Sequence, residues 1–445
     1  TVDMSLFLNL LALIAFVFIS IWIFTPKFDK YRLLKFPENS DYLYRINRNM
    51  YFLIFVVCTA PFFLTYLSLI KYGIYFLVLI YLLILGKIKI KVDVIVGTYL
   101  LFFLWLIIST SYSESRYDSM MLLIKYSIPL LSLWLGYSAV EEKYDLYYFS
   151  KFVAKTSIVY ALIAGGVSAV FMPWLYFSPF VSGVILKYAG LADYFTSIFV
   201  IFFILHWITG RKIYLWGALW LLLSTILEVV RTGLGGMALV GTFFVFFRYK
   251  LKSIPYIIVT GILFVSIVLY VPSVNEKFFG KNAGTVDATD IVQGGALSMD
   301  NIQTSGREFL WELVMNKFYE PNPIIGSGLG TTTHFIKDRA QKEHTIALLH
   351  SDYVQILCDN GIIGIVLLAL FYLCVICKVF IYSWRGVDPW IKVSGIMAVS
   401  SMAGVAFSMG FDNVVSHSMT SLINPFIFIG FFLKFIDLAK YDSLS

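Results

Sequence analysis

Apolar runs of about 20 residues recur along almost the whole chain, and they constrain its fold more than any other feature. A helix needs about 20 largely apolar residues to cross a bilayer, whereas a spanning β-strand needs about ten that alternate in polarity. These runs are apolar on all sides, so the sequence predicts an all-α fold. We expect a polytopic transmembrane helical bundle of about 12–14 spans, in a single transmembrane domain over 1–445. The thirteen predicted spans are 4–24, 51–70, 73–86, 94–110, 121–139, 152–172, 195–210, 213–230, 232–247, 254–272, 361–383, 393–410 and 420–437.

The composition excludes a soluble fold. Hydrophobic residues make up 59% of the 445 residues and charged residues 14%, against about half and about a quarter in soluble domains. The formal net charge is +7, but the basic side chains cluster in short loops between apolar runs. We therefore expect the lipid bilayer, and no nucleic acid, as a partner.

The distribution of lysine and arginine predicts the side of each loop, because cytoplasmic loops are enriched in both. One alternating set of loops holds eighteen basic residues, within 27–48, 87–91, 143–151, 211–212, 248–252 and 385–392. The short loops of the opposite set hold four, namely Lys71, Arg116, Lys187 and Arg231. The poor side is predicted to be extracytoplasmic and to carry the longest loop, 273–360. Counting spans then places the N-terminus outside as well.

The loop 273–360 differs in composition from the rest of the chain. Residues 282–305 are polar and rich in small side chains, as expected of a mobile segment. Residues 307–319 have apolar side chains at helical spacing, which predicts an amphipathic helix on the bundle or at the membrane surface. The apolar positions are Phe309, Leu310, Leu313, Val314 and Phe318. Residues 320–333 then contain the proline and glycine of a turn.

Two regions near the ends of helices, one around Arg231 and one around Arg307, are candidates for anion binding. Glu228 and Arg231 close the eighth predicted span, and glycines follow within 233–236. Ionisable groups at membrane depth are costly and often functional, although a snorkelling interface residue is the alternative. Arg307 follows Gly306 and opens the amphipathic helix, where the helix dipole disfavours a positive charge. A bidentate grip on phosphate would explain that position, with a solvated loop arginine as the alternative.

Histidines supply the candidate bases. His334, His344 and His350 lie in the long loop, and imidazole can act as a general base near neutral pH. Their spacing fits no usual zinc pattern. His417 lies in a short external loop and is expected to line the same cavity. The chain contains no glycine-rich nucleotide loop and no G-x-S-x-G motif, which argues against ATP-driven transport and serine hydrolase chemistry.

One string near the end of the loop resembles a known family signature. His350-Ser351, nine residues, Gly361, two residues and Gly364 are similar to the pattern of bacterial O-antigen ligases and polymerases. Three further features occur in that family's order within about 130 residues. They are Arg231 with the glycines that follow it, Gly306-Arg307 with Trp311 four residues on, and the glycines 326, 328 and 330.

The resemblance implies a metal-independent glycosyltransferase of the membrane-embedded (GT-C-like) class, without a cofactor. Such enzymes take a glycan from an undecaprenyl diphosphate donor at the periplasmic face of the bacterial inner (cytoplasmic) membrane. A polymerase joins it to another lipid-linked repeat unit, and a ligase joins it to the lipid A core. A protein that regulates chain length is a further partner that a polymerase implies.

The resemblance also assigns roles to residues. His350, Arg307 and Arg231 are the implied catalytic residues, with the arginines facing the diphosphate and His350 facing the acceptor hydroxyl. The expected substrate-binding residues are Glu228, Ser351, Asp352, His344, His334, Gly306, Trp311 and His417. Ser351 stands where asparagine is commoner in the family. The His-Ser-Asp-Tyr string and the 43 positions from Arg307 to His350 favour a polymerase over a ligase. A polysaccharide transporter or flippase is the alternative from another class, but no internal repeat supports it.

Overall fold

The computed structural model describes residues 68–161, 189–227, 230–271, 274–275, 307–343, 348–384 and 388–442. Within these ranges every regular element is helical and no strand occurs. In chain order the helices are α1 Ser68–Ile84, α2 Val94–Ser109, α3 Arg116–Ala139, α4 Lys143–Ala161, α5 Ala189–Thr209, α6 Ile213–Leu227, α7 Arg231–Tyr249, α8 Ile254–Tyr270, α9 Arg307–Val314, α10 Thr331–Glu343, α11 Asp352–Trp384, α12 Pro389–Phe411, α13 Ser418–Ser421 and α14 Ile423–Asp442.

The centre of the bundle is formed by α5 and α12, which are buried along most of their length, together with α3 and α14. Small residues allow the closest approaches, as is typical of helix packing in membranes. A Cβ atom on Gly430 of α14 would collide with the backbone of α3 at Leu133, Gly136 and Tyr137. Aromatic side chains such as Phe428 and Phe202 fill the remaining space and are fully buried.

The outer helices expose apolar side chains, as a bundle surrounded by lipid does. On α8 the exposed side chains include Ile258, Ile262 and Leu263, whereas Val268 is buried. Six helical stretches among the described residues are long and apolar enough to cross a membrane, or seven if the bent pair around α13 and α14 is one span. The prediction of a polytopic all-α membrane protein is therefore confirmed.

One of those stretches, Arg231–Tyr270, contains two predicted spans, 232–247 and 254–272. Lys250 has a φ of 56°, and this breaks the helical path. Leu234, near the start of α7, packs against Val268, near the end of α8. The two helices are therefore an antiparallel hairpin, as the two separate predicted spans require.

Several predicted boundaries differ from the structure. Span 4–24 lies outside the described residues, as do most of 51–70 and the end of 152–172. The predicted break at 71–72 is wrong, because α1 runs without interruption from Ser68 to Ile84. The helix α3 begins five residues before the predicted 121, at Arg116, where the Ser115 side chain caps its first turn. A hydropathy pattern does not detect a first helical turn that consists of polar residues.

Those basic loops that the structure describes come together at one end of the bundle. There Lys392 Nζ lies 3.4 Å from the Arg248 carbonyl, and Lys91 pairs with Asp437 at 2.6 Å. Arg231 opens the helix that Arg248 closes, so the two lie about 26 Å apart along α7. Arg231 is thus at the opposite end, about one hydrocarbon thickness away.

The described part of the long loop packs on the first turns of α11. Val314 and Phe318 are buried there with Leu349 and Cys358. The predicted amphipathic helix is present as α9 followed by a π-helical turn, Met315–Tyr319. Of its predicted apolar positions, Val314 and Phe318 are buried, whereas Phe309 is 60% exposed.

The predicted glycine turn is also present, and its three glycines have positive φ values of 74°, 98° and 86°. It holds Asp359, whose carboxylate accepts hydrogen bonds from the backbone of Gly330 and Thr332 at 2.9 and 2.8 Å. Gly361 then departs from helical geometry with a φ of 65°. Gly361 therefore separates an outer segment of α11 from the predicted span 361–383.

Candidate active site

His350 lies immediately before α11, at the end of the bundle away from the basic loops. Its backbone φ is 57°, an uncommon value for a residue other than glycine that fixes the direction of the imidazole. The neighbouring residues hold this conformation. Trp311 Nε1 donates to the Leu349 carbonyl at 2.8 Å, and the Ser351 hydroxyl accepts from the Val354 amide at 3.3 Å. Asparagine at position 351 would cap the helix in the same way.

Asp412 is the partner of His350. His350 Nδ1 lies 3.3 Å from Asp412 Oδ1, and the side chains are 21% and 9% exposed. Asp412 follows the last residue of α12, and its Oδ1 also accepts from the Asn413 amide at 2.8 Å. With Nδ1–H directed at a carboxylate, Nε2 of the neutral imidazole is the basic nitrogen. Asp412 was not singled out in the sequence, because spacing could not pair it with a residue 62 positions away.

Arg307 lies against the same helix end. Its Nη1 donates to the Phe411 carbonyl at 2.7 Å. That carbonyl is at the C-terminus of α12, where a cation is favourable. The unfavourable position of Arg307 at the start of its own helix is therefore offset by a contact with another helix.

The charges at this site act on one another. Burial alone would raise the pKa of the Asp412 carboxyl, but the hydrogen bonds from His350 and Asn413 and the charge of Arg307 lower it. Burial lowers the pKa of Arg307, and the charge of Asp412 partly opposes this. Arg231 is close enough for its charge to be repelled by that of Arg307. Two guanidinium groups therefore share a partly buried region beside the His350–Asp412 pair.

Two buried carboxylates, those of Asp352 and Asp193, lie near this region. Asp352 Oδ2 accepts from the Val415 amide at 3.0 Å and so fixes the segment that follows Asp412. Asp193 on α5 is fully buried, with Ser408 of α12 as its neighbouring donor. Its charge would interact with those of Asp412 and Asp352. Asp193 was not singled out in the sequence, because an acid within an apolar run carries no motif.

The other predicted site residues are distributed as follows. Glu228, Gly306 and His344 lie outside the described residues. His417 is half-buried in the turn Val415–His417, on the segment that begins with Asp412. His334 is on α10 and pairs with Asp118 of α3 at 3.3 Å, so it belongs to a different group of side chains from His350.

The glycines that follow Arg231 serve helix packing. A Cβ on Gly233 or Gly236 would lie within 3.0 Å of side-chain atoms of α5, and one on Gly235 would meet Phe407 of α12. They bring α7 against α5 and α12. Their close approach sets the position of Arg231 at the end of α7.

The arrangement combines a base, an anion that can stabilise its protonated form, and two cations. It can accept a proton from a hydroxyl group while the arginines stabilise charge on a departing anion. Among the described residues no three His, Cys, Asp or Glu side chains form a group that could hold a metal ion.

Comparison with known proteins gives one family. Residues 216–369 match the model of the O-antigen ligase family. The matched region extends from α6 into α11 and includes Arg231, Arg307 and His350, whereas Asp412 lies beyond it. No curated protein matches the chain. The fold and this match define a multi-pass helical membrane protein with a region similar to O-antigen ligases.

Proposed function

We propose that this protein is a surface-polysaccharide polymerase that joins undecaprenyl-diphosphate-linked oligosaccharide repeat units. The observation that carries the proposal is the His350–Asp412 pair beside Arg307 and Arg231, at one end of the bundle. By the positive-inside rule the opposite, basic end is cytoplasmic. The site would then face the periplasm from the inner membrane.

In the proposed reaction His350 Nε2 takes the proton of an acceptor sugar hydroxyl. The hydroxyl oxygen attacks the anomeric carbon of the donor glycan, and a new glycosidic C–O bond forms. The bond from that carbon to the diphosphate oxygen breaks, and its electron pair leaves with the lipid diphosphate. Asp412 stabilises the imidazolium, and the proton returns to solvent or to the departing diphosphate.

The two arginines would bind the diphosphate and stabilise the charge that develops as it leaves. Arg307 opens the outer helix α9 and Arg231 opens α7, so together they define a height near the membrane surface. A donor whose lipid tail stays in the bilayer presents its phosphates at that height. In this mechanism the arginines carry the electrophilic role, so no cofactor or divalent ion is required.

Two features favour a polymerase over a ligase. The string that follows His350, with Ser351, Asp352 and Tyr353, is more similar to polymerases, and the distance of 43 positions from Arg307 is short for a ligase. The family match is equally compatible with a ligase that transfers the polysaccharide to the lipid A core. A protein that regulates chain length would be a further partner of a polymerase.

Deletion of the gene distinguishes the two enzymes. Loss of a polymerase leaves single repeat units on the cell surface. Loss of a ligase leaves bare lipid A core, with long chains retained on the lipid carrier. The purified protein, given a lipid-diphosphate donor and acceptor, is expected to lengthen the glycan in the presence of EDTA. Absence of any transfer under conditions in which the protein is folded would refute the proposal.

A further inference from the structure

A second group of cations lies near Asp352. Lys337 of α10 pairs with Asp118 of α3 at 2.6 Å, and its side chain is 53% exposed. Lys125 of α3 is half-buried, and its charge interacts with those of Lys337, Asp352 and Asp118. We call Lys125 and Lys337 the lysine pair. The proposed mechanism uses neither residue.

Lys125 has an unusual position for a lysine. It lies seven residues after Asp118, about 10 Å further along a helix that is long and apolar enough to span the membrane. Within the part of the chain that the structure describes, it makes no hydrogen bond and no ion pair shorter than 4 Å. A lysine at membrane depth without a close partner is costly, and such positions usually mark a substrate path or binding site.

Asp352 is not a sufficient partner for Lys125. The carboxylate of Asp352 is 1% exposed and is already bound by the backbone of Val415 and Val414. Asp118 is likewise bound by Lys337, His334 and Ser115. Both carboxylates therefore have closer donors, and the charge of Lys125 adds to that of Lys337. The two lysine charges repel each other, which an anion between them would relieve.

The lysine pair is also close to the reacting groups. Asp352 follows His350 by two residues, and both contact the segment Asp412 to Val415. The charge of Lys125 reaches Asp352, and Arg307 contacts the carbonyl before Asp412. Both cation pairs therefore have a member near the segment that carries the partner of His350.

We propose that the lysine pair binds the phosphate of the acceptor lipid, as the arginine pair binds the diphosphate of the donor. The inference rests on the proposed function, since a reaction between two lipid-linked glycans needs two phosphate sites and one base. For a polymerase the bound group is the diphosphate of the second polyprenyl lipid. For a ligase it is a phosphate of the lipid A core.

The experiment separates donor from acceptor. The donor is a repeat unit on undecaprenyl diphosphate whose own acceptor hydroxyl is methylated. The acceptor has a methylene group in place of the anomeric oxygen, so it cannot donate, and is supplied on a polyprenyl diphosphate or on a neutral polyprenyl. The full-length protein in detergent should use the diphosphate acceptor about tenfold better in kcat/KM, the gain of charge-assisted hydrogen bonds.

The lysine variants should remove that preference. Lys125→Gln and Lys337→Gln are expected to raise the KM of the diphosphate acceptor about tenfold. They should leave the donor KM and the rate with the neutral acceptor unchanged. Lys125→Arg should retain the preference. Lys342→Gln is the matched control, because Lys342 is on the same helix and pairs with Asp338 on its exposed side.

The outcomes are distinguishable. Equal use of both acceptors by the wild-type protein, or an unchanged preference in both glutamine variants, overturns the inference and leaves the proposed function intact. No transfer to either acceptor overturns the proposed function itself. Phosphatidylglycerol that abolishes the preference would show a general anionic-lipid site, against the inference. If the protein is a ligase, it should use phosphorylated lipid A core better than dephosphorylated core. A preference that depends on Lys125 and Lys337 then supports the site.

Discussion

His350 Nδ1 lies 3.3 Å from Asp412 Oδ1, although the two residues are 62 positions apart and belong to the entry of α11 and the exit of α12. The contact depends on three local features: the positive φ of His350, the end of α12 at Phe411, and the Asp352 carboxylate that holds the Val415 amide.

Replacement of Asp412 by asparagine should lower kcat by about 10²-fold with little change in donor KM, because the imidazolium loses its counter-charge. Its pKa is lowered from 3.8 in the folded protein. The ionised carboxylate therefore stabilises the fold above about pH 4, and this contribution is lost as the pH falls through the lowered pKa. Melting in detergent should show a deficit of Asp412→Asn at about pH 4 that shrinks as the pH is lowered further towards 3. A deficit that grows between pH 4 and pH 3 would contradict the assignment.

Arg307 and Arg231 should be needed for turnover, unlike an arginine outside the site. Arg307→Ala and Arg231→Ala are each expected to reduce turnover by about 10²–10³-fold, because each removes a donor to the leaving diphosphate. Arg339, which pairs with Glu343 on α10, provides the control. Glycan extension with EDTA present is the measurement, and size-exclusion profiles verify folding. Full activity in both variants would exclude a diphosphate clamp.

Replacement of His350 and replacement of His334 should affect the rate differently. His350→Ala should lose at least about 10²-fold in rate, as expected for removal of a general base. His334→Ala should keep most of the activity, because His334 pairs with Asp118 and that carboxylate retains Lys337 at 2.6 Å. If His334→Ala were the inactive variant, the general-base assignment would have to move to α10.

The first of the two glycines in the family signature has a structural role. Gly361 has a φ of 65°, and a Cβ there would collide with the backbone at Ile324 and Gly326. Gly361→Ala should destabilise the protein by more than about 2 kcal/mol. Gly97→Ala, on a helix with open space around it, should change stability by less than about 1 kcal/mol. Thermal melting of both variants in one detergent measures the difference, and equal melting temperatures would count against the packing described.

Cysteine labelling tests the orientation. In a protein whose four cysteines are replaced, Lys342→Cys on α10 should react with an impermeant maleimide added to spheroplasts. Lys212→Cys, in the basic loop before α6, should react only after the membrane is made permeable. The reverse pattern would place the active site in the cytoplasm, where a periplasmic polymerase could not act.

Much of the architecture could be predicted from the sequence, because hydropathy and charge distribution act over short ranges. The apolar runs located the described helices, and the described basic loops lie at one end. Boundaries were missed where polar residues cap a helix, as at Ser115 and Ser351, or where one helix continues through a lysine at position 71. Helical periodicity gave the apolar face of α9 but not the neighbour that covers each position, so it could not show that Val314 is buried and Phe309 exposed.

The sequence by itself determined that this chain is a helical membrane protein, and it located Arg231, Arg307 and His350 as candidates, because bilayer burial and a linear motif are both properties of the chain order. Only the tertiary structure decided which groups meet. It paired His350 with Asp412, separated His334 from them, and placed Lys125 and Lys337 beside Asp352. These contacts join residues on different helices, and the packing of α3, α11 and α12 fixes them through distances that no sequence spacing contains.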